Sequence, residues 1–297
     1  MKKSLLSLLG VFLCFTLSHA QTRPAAPTND ADPALWVTKD ADTTIYLFGT
    51  AHLLDPKVVW FDDAIKEAFD QSSELIIEAE LSTGAAAQTA MLKFAVDPDG
   101  PPLLEKLPKE LAERYRRQMA AFGVPAAAFD QFKPWFAAMS LSALQLVKSG
   151  MKPESGAEEV LLAAAKASKK TVGALETEEQ QLGFFDSLDE ASQITFLSIT
   201  LDELSEGPAL IDEQMTLWAK GDASGLGELM NEGLSELPQL GKVLLEDRNT
   251  RWAQWIAERL RRPGTVFVAV GAGHLAGNQS VQSKLTDRGI RSERIEY

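Results

Sequence analysis

Two stretches of the chain share one pattern, a short run of apolar residues that ends in Gly-x-x-His. They read IYLFGTAHLL at residues 45–54 and VFVAVGAGHL at residues 266–275. Nearly continuous apolar runs of this length are typical of strands buried on both faces of a parallel sheet. The glycine lets the backbone turn sharply where the strand ends. The pattern therefore predicts two buried strands that deliver His52 and His274 at their carboxyl ends.

Two further apolar segments each deliver a glutamate. ELIIEAEL indicates a strand that carries Glu78 and Glu80, and TVGAL indicates a strand that leads to Glu176. Residues at the carboxyl ends of strands in an α/β sheet can meet in one crevice even when they are distant in sequence. We therefore expect the two histidines and at least one of these glutamates to converge.

The remaining sequence alternates helical and strand patterns, and helices outnumber strands. Residues 83–152 are rich in Ala, Leu and Met with breaks at Pro and Gly, which predicts a helical insertion. Pro56 is expected in the first turn of a helix that runs to about Phe69, and Pro134 at the start of another. The predicted fold is α/β (or α+β), a central β-sheet flanked by helices with its site at the C-terminal ends of the strands.

The N-terminal region has the composition of an export signal. In residues 1–20 two lysines precede a short apolar stretch, and small residues follow at the positions that a signal peptidase reads. Residues 21–33 contain three prolines and few bulky apolar groups, so we expect a flexible leader before one domain at 34–297. The only cysteine, Cys14, lies in the signal, and no later segment predicts a membrane span. These features predict a secreted, periplasmic protein without disulfides.

The net charge of the chain restricts the classes of molecule that it can bind. Cleavage after residue 20 removes two lysines, which leaves 27 basic against 42 acidic residues and a net charge of −15. Such a chain repels phosphate backbones, so nucleic acid is not an expected partner. A peptide or another small secreted substrate is expected instead, and the oligomeric state stays open.

The polar residues at the strand ends suit metal chemistry. Two imidazoles and one or two carboxylates are a common ligand set for a divalent transition metal. Both histidines that follow the signal stand in Gly-x-x-His. Glu78 lies within an apolar strand, where an unpaired carboxylate is costly, so a cation or metal is expected beside it. An exposed edge position is the alternative for Glu78, and Glu80 on the same strand face can replace it.

Two other charged residues carry alternative interpretations. Glu176 heads LETEEQQ and either joins the site or simply begins an acidic helix. Arg248, in the amphipathic segment EDRNTRWAQWIAERLRR, either pairs with a carboxylate for structure or reaches into the site to stabilise an anion. The apolar stripes of residues 85–150 and 188–220 predict core packing, with a groove for an apolar or peptide ligand as the alternative.

Five motifs in order resemble the TraB/PrgY/GumN family on its GumN-like side and, at greater distance, the Tiki proteins. They are YLFGTAH, ELIIEAEL, GAEEVLLAAAKASKKTVGALET followed by QQ, EDRNTRWAQWI and VFVAVGAGHLAG, and the resemblance spans residues 34–297. It implies an α/β fold and, as in Tiki proteins, manganese- or cobalt-type metal-dependent proteolysis at peptide N-termini. TraB and PrgY are associated with lowered peptide pheromone activity, and GumN with exopolysaccharide genes.

The resemblance also assigns residues. It matches His52 and His274 to the two histidine motifs, Glu78 to the strand glutamate and Glu176 to the LET position. It matches Arg248 to the arginine of an Arg-Asn motif. Where many members carry Gly-Ile/Leu-Asp this chain has Gly-Ala-Glu at residues 156–158, which keeps the acidic character.

The sequence thus favours a metal-dependent hydrolase, in particular a peptidase. His52 and His274, with Glu78 or Glu176, hold manganese, cobalt or zinc in this hypothesis; the other glutamate accepts a proton and Arg248 stabilises an oxyanion. The alternatives are a non-catalytic protein that sequesters a peptide, sugar or haem, and an accessory factor in polysaccharide export. A Gly-x-Ser-x-Gly elbow is missing and the chain after the signal has no cysteine, so the usual serine or thiol nucleophiles are not expected.

Overall fold

The computed structural model describes residues 29–80, 85–234 and 237–297. The predicted signal peptide and residues 21–28 of the predicted leader lie outside the described residues. The strands are β1 (Asn29–Asp30), β2 (Leu35–Lys39), β3 (Thr43–Thr50), β4 (Val58–Val59), β5 (Glu74–Glu80), β6 (Thr171–Thr177), β7 (Gly264–Gly271) and β8 (Glu293–Ile295). The helices are α1 (Asp63–Gln71), α2 (Ala85–Ala95), α3 (Leu103–Lys106), α4 (Lys109–Phe122), α5 (Pro134–Lys148), α6 (Ala157–Ala167), α7 (Glu178–Asp186), α8 (Glu190–Glu206), α9 (Pro208–Ala219), α10 (Ala223–Leu234), α11 (Pro238–Gly241), α12 (Asp247–Arg259) and α13 (Val281–Thr286), with a π-helical segment at Lys242–Glu246 directly before α12.

A six-stranded sheet organises the fold, with strand order β6-β5-β7-β3-β2-β8. The four strands β6, β5, β7 and β3 run parallel, whereas β2 is antiparallel to both of its neighbours. The predicted α/β class is confirmed. The parallel strands are also the four that carry the candidate site residues.

Strand β7 illustrates why the apolar runs form central strands. Its side chains alternate between two cores, with Phe267 on one side of the sheet and Val268 on the other. Phe267 packs with Phe48 and Phe69, whereas Val268 lies in the cluster that contains Trp252 of α12. A strand buried on both faces needs apolar residues at successive positions, as its sequence provides.

Four helices between β5 and β6 contribute to a separate apolar cluster, together with helices that follow β6. Helices α2 to α5 fall within the predicted insertion and pack with α7 and α8 around Tyr115, Trp135 and Phe196. Helix α5 begins at Pro134, as predicted. No helix within the described ranges combines the length and the apolar character that a membrane span requires.

Two local expectations differ from the structure near the N-terminus. Asn29–Asp30 pair in parallel with Val58–Val59, and Ala31 is buried, so regular structure begins before the expected leader ends. Because this pairing holds the chain after Pro56 in an extended form, the helix expected there begins only at Asp63. Strand pairing supplied by a distant segment overrides the local preference of a proline for a first helical turn.

Candidate active site

The sheet topology brings the predicted residues together. Across the parallel strands, β6 carries Glu176, β5 carries Glu78, and the segments after β7 and β3 carry His274 and His52. Thr50, at the end of β3, is in register with Gly271, at the end of β7. The two Gly-x-x-His motifs therefore leave the sheet side by side.

Arg248 lies at the centre of the cluster, in the first turn of α12, and is only 5% exposed. Its Nη2 donates to Glu78 Oε1 and, at 2.7 Å, to Glu176 Oε2. Its Nη1 donates to the carbonyl oxygen of Leu244 at 3.2 Å and lies 3.1 Å from His274 Nε2. The guanidinium thus links both glutamates to one histidine. Both carboxylates raise the pKa of Arg248 against the opposing effect of burial, so it remains charged.

The contacts of His274 determine which ring nitrogen carries the proton. Its Nδ1 lies 2.6 Å from Asn249 Oδ1, and Asn249 Nδ2 donates to the carbonyl oxygen of Gln279. Because Asn249 Oδ1 can only accept, Nδ1 of His274 is protonated and Nε2 accepts from Arg248. Burial and then the charge of Arg248 lower the pKa of His274 to about 3. His274 is therefore a neutral imidazole with Nε2 directed into the cluster.

His52 occupies the more open side of the cluster, with its side chain 17% exposed. Its Nδ1 lies 2.8 Å from Glu158 Oε1, and the hydroxyl of Thr50 donates to the same oxygen. Burial alone lowers the pKa of His52, but the charge and hydrogen bond of Glu158 outweigh it and raise the pKa to about 9. Glycine at 156 is needed here, because a Cβ at that position would overlap the carbonyl oxygen of His52.

Glu78 is the carboxylate that faces both histidines. Its Oε1 accepts from Arg248 and from Gln181 Nε2, and its Oε2 accepts from the backbone N–H of Gly271 at 3.0 Å. Burial alone raises its pKa, but Arg248 and the two imidazoles hold it well below its ordinary value. Glu80 is exposed at the end of the same strand, so β5 contributes Glu78 to the cluster.

Three side chains approach one point above Gly271. A Cβ placed on this glycine would lie 3.4 Å from Glu78 Oε2, 3.7 Å from His52 Nε2 and 3.7 Å from His274 Cδ2. The distance between His274 Nε2 and Glu78 Oε2 is 3.9 Å. Glycine thus keeps open the space that these groups share.

Glu176 has a different environment from Glu78. Its carboxylate accepts from Arg248 Nε and Nη2 and from Trp252 Nε1, and Arg251 lies 3.5 Å away. Gln181 Nε2 is 3.4 Å from it. With its lone pairs engaged by these donors, Glu176 anchors Arg248.

Several contact residues were not predicted. They are Thr50, Glu158, Gln181, Asn249 and Trp252. The sequence indicates Glu158 only as an acidic group kept at its position, and Trp252 only as one residue of the amphipathic segment that contains Arg248. Asn249 is adjacent to Arg248 in sequence, which is a signal that could have suggested it. Gln181 is the second glutamine of the QQ in the third motif, but its contact with Glu78 depends on the path of α7, which has no local signal.

The donor types agree with the predicted metal ligands, but their spacing is looser. Both histidines have Nδ1 bonded to an acceptor and Nε2 directed towards Glu78, as metal-binding histidines commonly do. Within the part of the chain that the structure describes, however, no three His, Cys, Asp or Glu side chains form a group at metal-binding distances. Arg248 instead supplies the positive charge beside Glu78.

The sequence that carries these motifs matches a known family. The family model of the TraB/PrgY/gumN family matches residues 34–294.

The chain belongs to the TraB/PrgY/gumN family. It is 26% identical over 253 residues to the protein YbaP of Escherichia coli (strain K12), which covers 85% of this chain and 92% of YbaP. It is 24% identical to Metalloprotease TIKI1 of Danio rerio, over 91% of this chain and 65% of that protein, and 24% identical to Metalloprotease TIKI1 of Homo sapiens, over 95% and 67%. No solved structure gives a significant match. The family resemblance predicted from the motifs is confirmed, and its distant members include metalloproteases.

Proposed function

We propose that this protein is a metal-dependent hydrolase of peptide bonds. The orientation of the two imidazoles is the observation that carries the proposal. Glu158 and Asn249 occupy the Nδ1 atoms, and both Nε2 atoms lie on the side of Glu78 and Gly271, where that of His274 also accepts from Arg248. The distant similarity to proteins named metalloproteases supports the same chemistry.

The residues fit a divalent transition metal in donor type and orientation. Nε2 of His52, Nε2 of His274 and Oε2 of Glu78 would hold it, with manganese, cobalt and zinc as candidates. Such an ion supplies Lewis acidity to a polarised carbonyl and lowers the pKa of water. Among the described residues, Gly271 alone donates a hydrogen bond to Glu78 Oε2, so this carboxylate oxygen has capacity left to bind or to accept a proton.

Arg248 and Glu176 divide the remaining roles. A guanidinium held by two carboxylates is positioned in advance, so it can stabilise a developing oxyanion without reorganising. We assign Glu176 to positioning Arg248 rather than to proton transfer, because Arg248 and Trp252 already occupy its oxygens.

One observation favours a second candidate, a non-catalytic protein that captures a peptide or small ligand. Arg248 already satisfies Glu78 and His274, so the cluster is neutralised by the chain's own groups. A site of this kind can bind an anionic ligand at its rim without turnover. An accessory role in polysaccharide export would show neither metal binding nor hydrolysis.

The test combines metal analysis with hydrolysis of a mixed peptide library, followed by mass spectrometry. We expect bound metal in the wild type and, in His52→Ala, His274→Ala and Glu78→Gln, loss of the metal and at least a hundredfold slower cleavage. Glu80→Gln is the matched control, since Glu80 is exposed on the same strand and should change neither. Peptide capture that survives both histidine substitutions, without cleavage, would favour the binding protein.

We propose further that the protein acts outside the cytoplasm, in the periplasm, on a peptide or other small secreted substrate. The proposal rests on the lysine-plus-apolar pattern of residues 1–20 and on the acidic net charge. Cell fractionation with N-terminal sequencing of the exported chain tests it. A cytoplasmic product that retains residues 1–20 would overturn it.

A further inference from the structure

The two edges of the six-stranded sheet are built differently. One edge is β8, only three residues long and flanked by charges, with Arg291 and Glu293 forming an ion pair. The other edge is β6, whose seven residues read TVGALET. Soluble proteins protect open edges with short strands, charges or proline. Strand β6 has no proline and no charge before Glu176, so it lacks the protection that β8 has.

The backbone of β6 leaves hydrogen-bonding groups free on this edge. The N–H of Thr171 donates to the carbonyl oxygen of Ser73 before β5, so Thr171 faces the sheet. Successive residues of a strand face opposite sides, which directs the N–H and C=O of Val172 and Ala174 away from β5. No other described residue donates to or accepts from these groups, and Val172 is 44% exposed.

This free edge leads directly into the site. Two residues beyond Ala174 the strand reaches Glu176, whose side chain anchors Arg248. Beside it Arg251 is half exposed, stacks on Phe184 and lies 3.5 Å from Glu176. From Val172 to Glu176 the edge extends for about 13 Å, at roughly 3.3 Å per residue. A peptide that lies along β6 therefore meets Glu176, the member of the cluster on this strand, near the carboxyl end of β6.

We propose that β6 is the docking strand for the substrate, which binds as an extended peptide segment added to the edge of the sheet. The inference rests on the proposed peptidase function and names the form in which the substrate is recognised. Main-chain hydrogen bonds to Val172 and Ala174 hold the segment without regard to its sequence, and Arg251 meets it where the edge reaches the site. Strand addition is an established mode of peptide recognition by exposed sheet edges.

N-methylation of the peptide tests the proposal with the wild-type protein. The probe is the end-blocked hexapeptide best retained by the protein from a mixed library, resynthesised with one amide methylated at a time. We expect methylation at alternate amides to weaken binding about tenfold and methylation at the intervening amides to be tolerated, because only every second N–H faces β6. Equal effects at all positions, or no retained hexapeptide, would overturn the proposal.

A variant pair tests the same edge from the protein side. Ala174→Pro removes an N–H that faces outward and leaves the ladder to β5 intact, and proline is tolerated at such edge positions. We expect KM for hexapeptides to be about tenfold higher in Ala174→Pro than in Ala174→Ser, which keeps the N–H. If both variants behave alike, or if Ala174→Pro only dissociates a dimer in sedimentation, the peptide is not the occupant of β6.

The two proposals fail separately. Binding with the alternating pattern but without cleavage would contradict the hydrolase and leave the docking strand. Cleavage without the alternating pattern would contradict the docking strand alone.

Discussion

The two halves of the site contain the same motif in opposite electrostatic settings. In the sealed half His274 is 3% exposed, beside Arg248 and the uncharged Asn249, and its pKa falls to about 3. In the open half His52 is 17% exposed, beside the charged Glu158, and its pKa rises to about 9. A neutral acceptor merely orients an imidazole, whereas a carboxylate also stabilises its charged form. The environment, and not the Gly-x-x-His motif, thus sets the protonation of each histidine.

The largest effect is expected from the sealed half. Arg248→Met leaves Glu78 and Glu176 buried without their cation, which should lower the free energy of unfolding by about 3–5 kcal/mol. Urea denaturation measures it. Arg251→Met is the matched control on the same helix, and because this side chain is half exposed its cost should stay within about 0.5 kcal/mol. Equal costs for both variants would contradict the inference that burial makes the ion pairs of Arg248 costly to break.

The stability contributed by His52 in the open half should change between pH 6.5 and 9, whereas that contributed by His274 in the sealed half should not. In the folded protein the pKa of His52 is raised from 6.5 to about 9, so this stabilisation is fully present below pH 6.5 and is lost as pH rises through 9. Glu158→Gln should therefore cost on the order of 2 kcal/mol at pH 6 and progressively less towards pH 9.5. Urea denaturation across this range measures the difference.

The control for this prediction lies on the same helical turn. Glu159→Gln removes an exposed carboxylate beside Glu158 in sequence and should show no such pH dependence. A Glu158→Gln cost that is constant from pH 6 to 9.5 would mean that Glu158 orients His52 without stabilising its charge.

The smallest effect on stability is expected at Thr50, which the sheet places in register with Gly271. Thr50 donates to Glu158, whereas its partner Gly271 donates its backbone N–H to Glu78. Thr50→Val keeps the shape but loses the hydroxyl, and should lower the free energy of unfolding by about 1 kcal/mol. Thr50→Ser retains the donor and should recover most of that loss. A Val variant as stable as the wild type would show that the hydroxyl of Thr50 contributes nothing to stability through Glu158.

The elements of the sheet were predictable because their signal is local. Continuous apolar runs around His52 and His274 indicated strands buried on both faces, and β3 and β7 are such strands. The choice between Glu78 and Glu80 was not predictable, because both lie on one face of the strand at a spacing of two residues. The structure makes the choice, because β5 leaves the core after Ala79, so that Glu78 is buried and Glu80 is exposed.

The contacts of Arg248 could not be predicted either. The sequence offered a structural pair or an anion stabiliser as alternatives, and the carboxylates that it binds lie 72 and 170 residues away. The π-helical segment before α12 and the packing of Trp252 against the sheet set where the guanidinium lies. Neither feature has a local sequence signal that specifies a distance.

From its sequence alone, this protein was determined to be an α/β chain of the TraB/PrgY/gumN type, with two histidines and a glutamate at neighbouring strand ends. Periodicity and glycine placement predict the strands and the turns after them, because they act within a few residues of each position, whereas the family is what the resemblance of the five motifs implies. The tertiary structure alone decided that Arg248 stands between the acids, that Glu158 favours the charged form of His52, and that burial with the charge of Arg248 favours the neutral form of His274. It also left β6 as the open edge. These outcomes depend on which distant side chains share a buried space, where burial and neighbouring charges change the free energy of each ionisable group.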